Sequence, residues 1–91
     1  MLVARRFIVS GRVQGVGFRH FVAEAARTEG VHGWVRNRHD GSVEALVEGD
    51  LESVDRVEWA VRRGPPLSRV EGVDVSPEPA TGRPAGFHIE T

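Results

Sequence analysis

The sequence predicts an α+β domain in which two helices cover one face of an antiparallel sheet. Two segments repeat their apolar residues at helical spacing, whereas the other apolar segments are short and rich in β-branched residues. They follow one another as strand, helix, strand, strand, helix and strand, with a further short strand at the end. The chain has 91 residues, which is enough for one domain with a small core, so we expect a single domain over residues 1–91.

The first strand and the first helix flank a glycine-containing segment. The strand is predicted from about Val3 to Ser10, where β-branched residues are frequent. The helix starts at Phe18, and its apolar residues follow the i, i+3, i+4, i+7, i+8 spacing of one helix face: Phe18, Phe21, Val22, Ala25 and Ala26. Gly30 is expected to end this helix, because glycine readily adopts the left-handed conformation found after a helix C-terminus.

A β-hairpin is predicted in the middle of the chain. Its strands run over Val31–Asn37 and Ser42–Gly49, since Asp40 and Gly41 between them form a strong hairpin signal. In the second strand three apolar residues alternate with three others, in the order Val43, Glu44, Ala45, Leu46, Val47 and Glu48. This alternation predicts one buried apolar face and one mostly acidic face toward solvent.

A second helix and two more strands complete the predicted fold. Asp50 or Ser53 is expected to cap the helix, which reaches about Arg63 before Gly64 and two prolines end it. Its buried stripe is predicted to be Leu51, Val54, Val57 and Val61. A fourth strand over Val70–Val75, a loop rich in proline and glycine over 76–86 and a terminal strand over Phe87–Ile89 follow. This order is that of a ferredoxin-like split β-α-β sandwich, a fold that hosts many functions.

Composition excludes several functional classes. The net charge is −1, the aromatic share is 7% and there is no tyrosine, so no nucleic-acid-binding surface is expected and Trp34 and Trp59 are predicted to be packing residues. No apolar run reaches the roughly 20 residues that span a membrane, and arginines interrupt the N-terminal apolar stretch, unlike in a signal peptide. The chain has no cysteine, which excludes disulfides and fits a cytoplasmic protein. Nothing in the sequence requires more than a monomer.

The segment between the first strand and the first helix, GRVQGVGFRHF, is the strongest functional candidate. Its glycines, Gly11, Gly15 and Gly17, would leave backbone N–H groups open at the positive end of the helix dipole, where anions bind. Arg19 could bind two phosphate oxygens with its planar guanidinium. The spacing matches neither the Walker motif nor the dinucleotide fingerprint. The residues alone therefore leave two interpretations open, an anion-binding loop or a plain turn.

Four stretches of the chain together resemble the acylphosphatases, which are small hydrolases that cleave carboxyl–phosphate mixed anhydrides. These stretches are GRVQGVGFR, GWVRN, DGSVEALVEGD and RRGPPLSRV. The first motif is nine residues long and specific, and the resemblance extends over nearly the whole chain.

The resemblance implies a site and a substrate. Phosphate would bind in the loop formed by Gln14, Gly15, Val16, Gly17, Phe18 and Arg19. Within this loop Arg19 would bind the phosphoryl group, while Asn37 would position the attacking water. The substrate would be a small acyl phosphate and inorganic phosphate a product. The four histidines have no metal-ligand spacing, so no metal or other cofactor is expected. Arg38 stands where a small hydroxyl residue is common in the family, and it is expected to add positive potential.

Other functions remain open at this point. A binding module of the same fold would need Arg19 and the loop but no water-positioning residue, so Asn37 separates it from an enzyme. A nucleic-acid-binding domain is disfavoured by charge and by the scarcity of aromatic residues. Acylphosphatase-like domains also begin some much longer maturation proteins, where they act on carbamoyl phosphate. This chain starts at Met1 and ends once the fold is complete, so a free-standing enzyme is expected.

Overall fold

The predicted order of elements is confirmed by the computed structural model, which describes residues 1–91. The strands and helices are β1 (Leu2–Arg12), α1 (Phe18–Glu29), β2 (His32–Asn37), β3 (Val43–Asp50), α2 (Leu51–Arg63), β4 (Arg69–Glu78) and β5 (Phe87–Ile89). Gly30 ends α1 in the left-handed conformation with φ 71°, as expected. Gly64 follows the last residue of α2, also as predicted. Neither helix is long and apolar enough to cross a membrane.

The five strands form one sheet in the order β4-β1-β3-β2-β5. The four longer strands are antiparallel to their neighbours, as in a split β-α-β sandwich. The short β5 instead pairs in parallel with β2, which makes the complete sheet mixed. Because β1 and β2 are both antiparallel to β3, they run parallel to each other. The C-terminal ends of β1, β2 and β5 therefore lie at the same edge of the sheet.

The core lies between the helices and one face of the sheet. Phe7 and Val9 of β1 and Val43, Ala45 and Val47 of β3 point toward the helices and are buried. From the helices come Phe18, Val22, Ala23, Ala26, Val54, Val57 and Val61. Burial of a valine side chain contributes about 1.5–3 kcal/mol, so this layer is the main source of stability. Trp59 is not part of it: its side chain is 75% exposed, so the prediction that it packs was wrong.

Two predicted elements differ in extent or detail. β4 continues through Pro77 to Glu78, three residues beyond its predicted end. An edge strand tolerates proline, because only one side of the strand needs its ladder hydrogen bonds. Asp50 has the extended conformation of an N-cap, but its carboxylate forms an ion pair with the N-terminal amine of Met1 at 3.0 Å and makes no side-chain cap.

The sheet face opposite the helices is less open than the alternating pattern predicted. Glu44 is only 2% exposed and forms ion pairs with Arg6 and Arg36 on the two neighbouring strands. Glu48 is covered by the loop between β4 and β5, and its carboxylate accepts hydrogen bonds from the N–H groups of Thr81 at 2.9 Å and Gly82 at 2.7 Å. These hydrogen bonds, with that of Thr81 the largest contribution, lower the pKa of Glu48.

Candidate active site

The segment between β1 and α1 is fixed to the core by its apolar residues and left open by its glycines. Val13 and Phe18 are 1% and 2% exposed, and Val16 packs against the core between them. Gly15 and Gly17 alternate with these residues and have φ angles of 72° and 79°. Apart from the adjoining residues of the chain, no atom lies within 4 Å of the place that a Cβ would take at either glycine. The segment is thus a loop that is anchored in the core and exposes its backbone on the outer side.

The N-terminus of α1 opens onto this loop. Gly17 is the N-cap, and no side chain caps the helix. The first turn also contains no acidic residue that would compete for the N–H groups. A helix start of this kind attracts anions through its free N–H groups and the positive end of the helix dipole.

Arg19 lies in the first turn of α1 and is half-buried. Its Nη1 donates a hydrogen bond of 3.0 Å to the carbonyl oxygen of Glu90, which follows β5. No carboxylate lies within 4 Å of this guanidinium. A neutral backbone oxygen therefore orients Arg19 while its charge stays uncompensated.

Asn37 is brought to the loop by the topology of the sheet. It is the last residue of β2, whose C-terminal end lies at the same edge as that of β1. Asn37 and the loop together line a cavity of about 140 Å³, with the residues Val13, Gly15, Gly17, Phe18, Arg19, His20 and Asn37. The predicted pair Arg19 and Asn37 is thus found in one cavity. No other protein group is hydrogen-bonded to the Asn37 amide, which leaves it free for water or substrate.

The side chain of Gln14 turns away from this cavity. Its Nε2 donates hydrogen bonds to the carbonyl oxygens of Arg38 at 2.7 Å and Ser42 at 2.9 Å, both in the β2–β3 turn. The sequence motif contains Gln14 but carries no signal for these partners, since backbone carbonyls are present at every residue. The same holds for the carbonyl of Glu90 beside Arg19.

The β2–β3 turn is ordered by its own side chains. Asp40 Oδ1 accepts hydrogen bonds from the N–H group of Ser42 at 3.0 Å and from its hydroxyl at 2.5 Å. These two hydrogen bonds lower the pKa of Asp40, and the one from the Ser42 hydroxyl contributes most.

Arg38 is half-exposed and lies 3.9 Å from the Asp40 carboxylate. It lines a second cavity of about 450 Å³ on the other side of Asn37, together with Arg36, His39, Asp40 and Thr91. Nowhere in the chain do three or more histidine and carboxylate side chains form a group that could hold a metal ion.

The split β-α-β sandwich, with an open glycine loop and Arg19 at the start of its first helix, has the features of a protein that binds a small anionic ligand. Comparisons with known proteins identify the family. A model of the acylphosphatase family matches residues 5–89. The chain is 52% identical to an acylphosphatase of Rubrobacter xylanophilus, over 92% of this chain and 76% of the relative. It is 53% identical to an acylphosphatase of Thermococcus kodakarensis, over 89% and 88% of the two chains. The crystal structure of acylphosphatase from Bacillus subtilis superimposes with a TM-score of 0.93 at 42% identity, covering both chains completely. The chain therefore belongs to the acylphosphatase family and is an enzyme that hydrolyses acyl phosphates.

Proposed function

We propose that the enzyme cleaves the carboxyl–phosphate bond by direct attack of water on phosphorus, without a metal ion. Arg19 and the backbone of residues 14–19 hold the phosphoryl group, and Asn37 holds the water. The observation that carries this proposal is that Arg19, the two open glycines and Asn37 line the same cavity. The products are a carboxylate and inorganic phosphate.

The loop and Arg19 supply the positive potential that phosphoryl transfer requires. The three non-bridging oxygens of the phosphoryl group carry much of the charge in the transition state, and fixed donors aimed at them lower the barrier. The open N–H groups of the loop and the free N–H groups of Arg19 are such donors. A carboxylate is a good leaving group, so charge stabilisation and positioning are the main demands on the protein.

Asn37 suits the role of a water-binding residue because its amide is neutral and both donates and accepts hydrogen bonds. A carboxylate at this position would repel the phosphoryl oxygens, whereas an amide does not. In-line attack from the side of Asn37 sends the acyl group out on the opposite side of the phosphorus. The proton of the attacking water passes to a phosphoryl oxygen of the substrate, so no side chain acts as a general base.

Two aryl substrates test the proposal. Benzoyl phosphate and phenyl phosphate differ mainly in their leaving groups, a carboxylate and a phenolate. We expect rapid hydrolysis of benzoyl phosphate, unchanged by excess chelator, and hydrolysis of phenyl phosphate that is slower by several orders of magnitude. Loss of activity with chelator and its recovery with Mg²⁺ would overturn the metal-independent mechanism. Comparable rates for the two substrates would overturn the role of the leaving group.

We further propose that the enzyme works as a monomer in the cytoplasm. Arg19, Asn37 and the two open glycines line one cavity within a single chain, so the proposal needs no second copy to complete the site. The absence of cysteine fits a reducing compartment. Sedimentation equilibrium at the concentrations used for kinetics gives the mass directly, and a dimer of full activity would contradict the first part of this proposal.

A further inference from the structure

We propose that Gln14 is a positioning residue that holds the turn after Asn37 against the phosphate loop. Its side chain thereby sets the distance between the water at Asn37 and the phosphoryl group at Arg19. This inference rests on the proposed function, and it assigns to Gln14 a role that its place in the loop sequence does not show.

The geometry of the Gln14 amide is that of a two-pronged link. One NH₂ group donates to two carbonyl oxygens, at 2.7 Å to Arg38 and at 2.9 Å to Ser42. These two carbonyls stand on opposite sides of the turn, and the N–H group of Arg38 also donates to the Ser42 oxygen at 2.9 Å. Gln14 therefore binds the turn where it closes. Both contacts link distant parts of the chain: Arg38 lies 24 positions after Gln14, and Ser42 lies 28 positions after it.

Both ends of this link are firmly held. At the loop end, Gln14 follows Val13, which is 1% exposed, so the backbone beside the side chain is fixed in the core. At the turn end, Ser42 is 7% exposed and bound by Asp40. Asn37 precedes Arg38 directly and pairs with Val43 in the sheet. A shift of this turn relative to the loop would therefore move Asn37 relative to Arg19.

Two carbonyl acceptors at this spacing specify the chemistry of the side chain. Glutamine offers two N–H donors at the end of a chain long enough to reach them. Glutamate would place a carboxylate against two carbonyl oxygens, and asparagine is shorter by one methylene. Because both N–H groups are engaged in the turn, phosphate binding is left to Arg19 and the backbone of the loop.

Measurements of turnover and of phosphate affinity distinguish a positioning role of Gln14 from a role in phosphate binding. We expect Gln14→Met to lower kcat for benzoyl phosphate by about 10- to 100-fold, since a displacement of about 1 Å can cost that much. The inhibition constant of inorganic phosphate should change by less than about twofold, because Arg19 and the loop N–H groups remain. Gln14→Asn should show the same pattern, which keeps the test valid if the methionine variant fails to fold. Thr81→Val is the matched control: it also removes side-chain hydrogen bonds, those of the Thr81 hydroxyl with the Glu48 carboxylate and with the N–H group of Arg83, but on the far face of the sheet.

A double-mutant cycle asks whether Gln14 acts through Asn37. In an Asn37→Ala background, Gln14→Met should lower kcat by less than about twofold, because the group that it positions is already gone. An undiminished loss in that background would overturn the inference. So would a normal kcat in both Gln14 variants, or a raised phosphate inhibition constant with unchanged kcat, which would make Gln14 a phosphate ligand. A wild-type protein that fails to hydrolyse benzoyl phosphate would instead refute the proposed function itself.

Discussion

The two residues proposed for catalysis differ in charge and in how the protein holds them. Arg19 is charged and is oriented by a neutral backbone oxygen, that of Glu90, which leaves its charge available for an anion. Asn37 is neutral and its side chain has no hydrogen-bond partner in the protein, which leaves both the donor and the acceptor of its amide available. A cation with a free charge beside a neutral amide with free hydrogen-bonding groups can bind a phosphoryl group and a water at the same time.

Asn37→Ala should abolish most turnover while it preserves the fold and phosphate binding. Asn37 makes no side-chain hydrogen bond within the protein, so its removal leaves no unpaired partner. Loss of one positioned polar group in such sites costs on the order of 10²–10³ in rate. Steady-state kinetics and a phosphate titration measure both effects.

His39→Ala is the control for Asn37→Ala, because His39 is exposed in the turn that follows Asn37 and lies outside the cavity that holds Arg19. It should retain full turnover. Near-normal turnover of Asn37→Ala would mean that the water is held elsewhere. Loss of phosphate binding in that variant would assign Asn37 to the binding of substrate.

At the scale of the elements, the sequence pattern predicted features that depend on neighbouring residues, such as turns and helix ends. It missed side-chain contacts between strands that are distant in the sequence. The hairpin signal at Asp40 and the helix-ending signal at Gly30 act through the neighbouring backbone. The β2–β3 hairpin and the end of α1 are both found as predicted. Alternation in β3 correctly predicted its buried apolar face. It predicted a solvent face for Glu44, which is instead buried by arginines from β1 and β2. Such partners depend on strand pairing, which the pattern within one strand does not contain.

The ion pairs of Glu44 predict how stability depends on pH. Burial alone would raise the pKa of Glu44, but hydrogen bonds and charges from Arg36 and Arg6 outweigh it, so the pKa lies below its usual value. A carboxylate with a lowered pKa stabilises the fold above its unfolded-state pKa of about 4.3. That contribution is lost as the pH falls from there through the lower pKa of the folded state.

Glu44→Gln should therefore destabilise the protein at pH 7 and flatten this acid dependence. The loss at pH 7 should be about 1.5–3 kcal/mol, the range for hydrogen bonds to charged groups. The two arginines are 40% and 48% exposed and can turn toward water, which limits the loss. Urea unfolding at pH 7 and below pH 4 measures it. Glu24→Gln, at an exposed carboxylate without an ion pair, should keep the wild-type dependence on pH. Equal curves for wild type and Glu44→Gln would contradict the account.

At the scale of the whole molecule, the site exists because three strand ends meet at one edge of the sheet. The loop leaves the end of β1, Asn37 ends β2 and Glu90 follows β5. These positions lie far apart in the sequence and converge only when the sheet is complete. The order of elements was predictable and implies that β1 and β2 run parallel, whereas the pairing of β5 with β2 has no local signal. Binding of a ligand at this edge should therefore stabilise the entire fold.

Inorganic phosphate, as the proposed product, should raise the melting midpoint of the protein. A ligand at about 100 times its dissociation constant adds roughly 2.7 kcal/mol when it binds only the folded state. In a domain of this size each 1 kcal/mol raises the midpoint by roughly 4–8 °C, so a rise of about 10 °C or more is expected at saturation. Phosphate also strengthens apolar burial without binding, so each shift is measured against chloride at equal ionic strength, and the Arg19 variants separate binding from this general effect.

The variants of Arg19 decide whether this shift comes from the loop. Arg19→Gln removes the charge and should lose the phosphate-specific shift. It also loses the hydrogen bond to Glu90, so its midpoint without phosphate should be lower than that of the wild type. Only the difference between the midpoints in phosphate and in chloride is therefore compared. Arg19→Lys keeps the charge but lacks the planar group that binds two oxygens together, so its shift should be smaller than that of the wild type but still measurable. Equal shifts in wild type and Arg19→Gln would show that phosphate binds elsewhere, and the glycine segment would then be only a turn between β1 and α1.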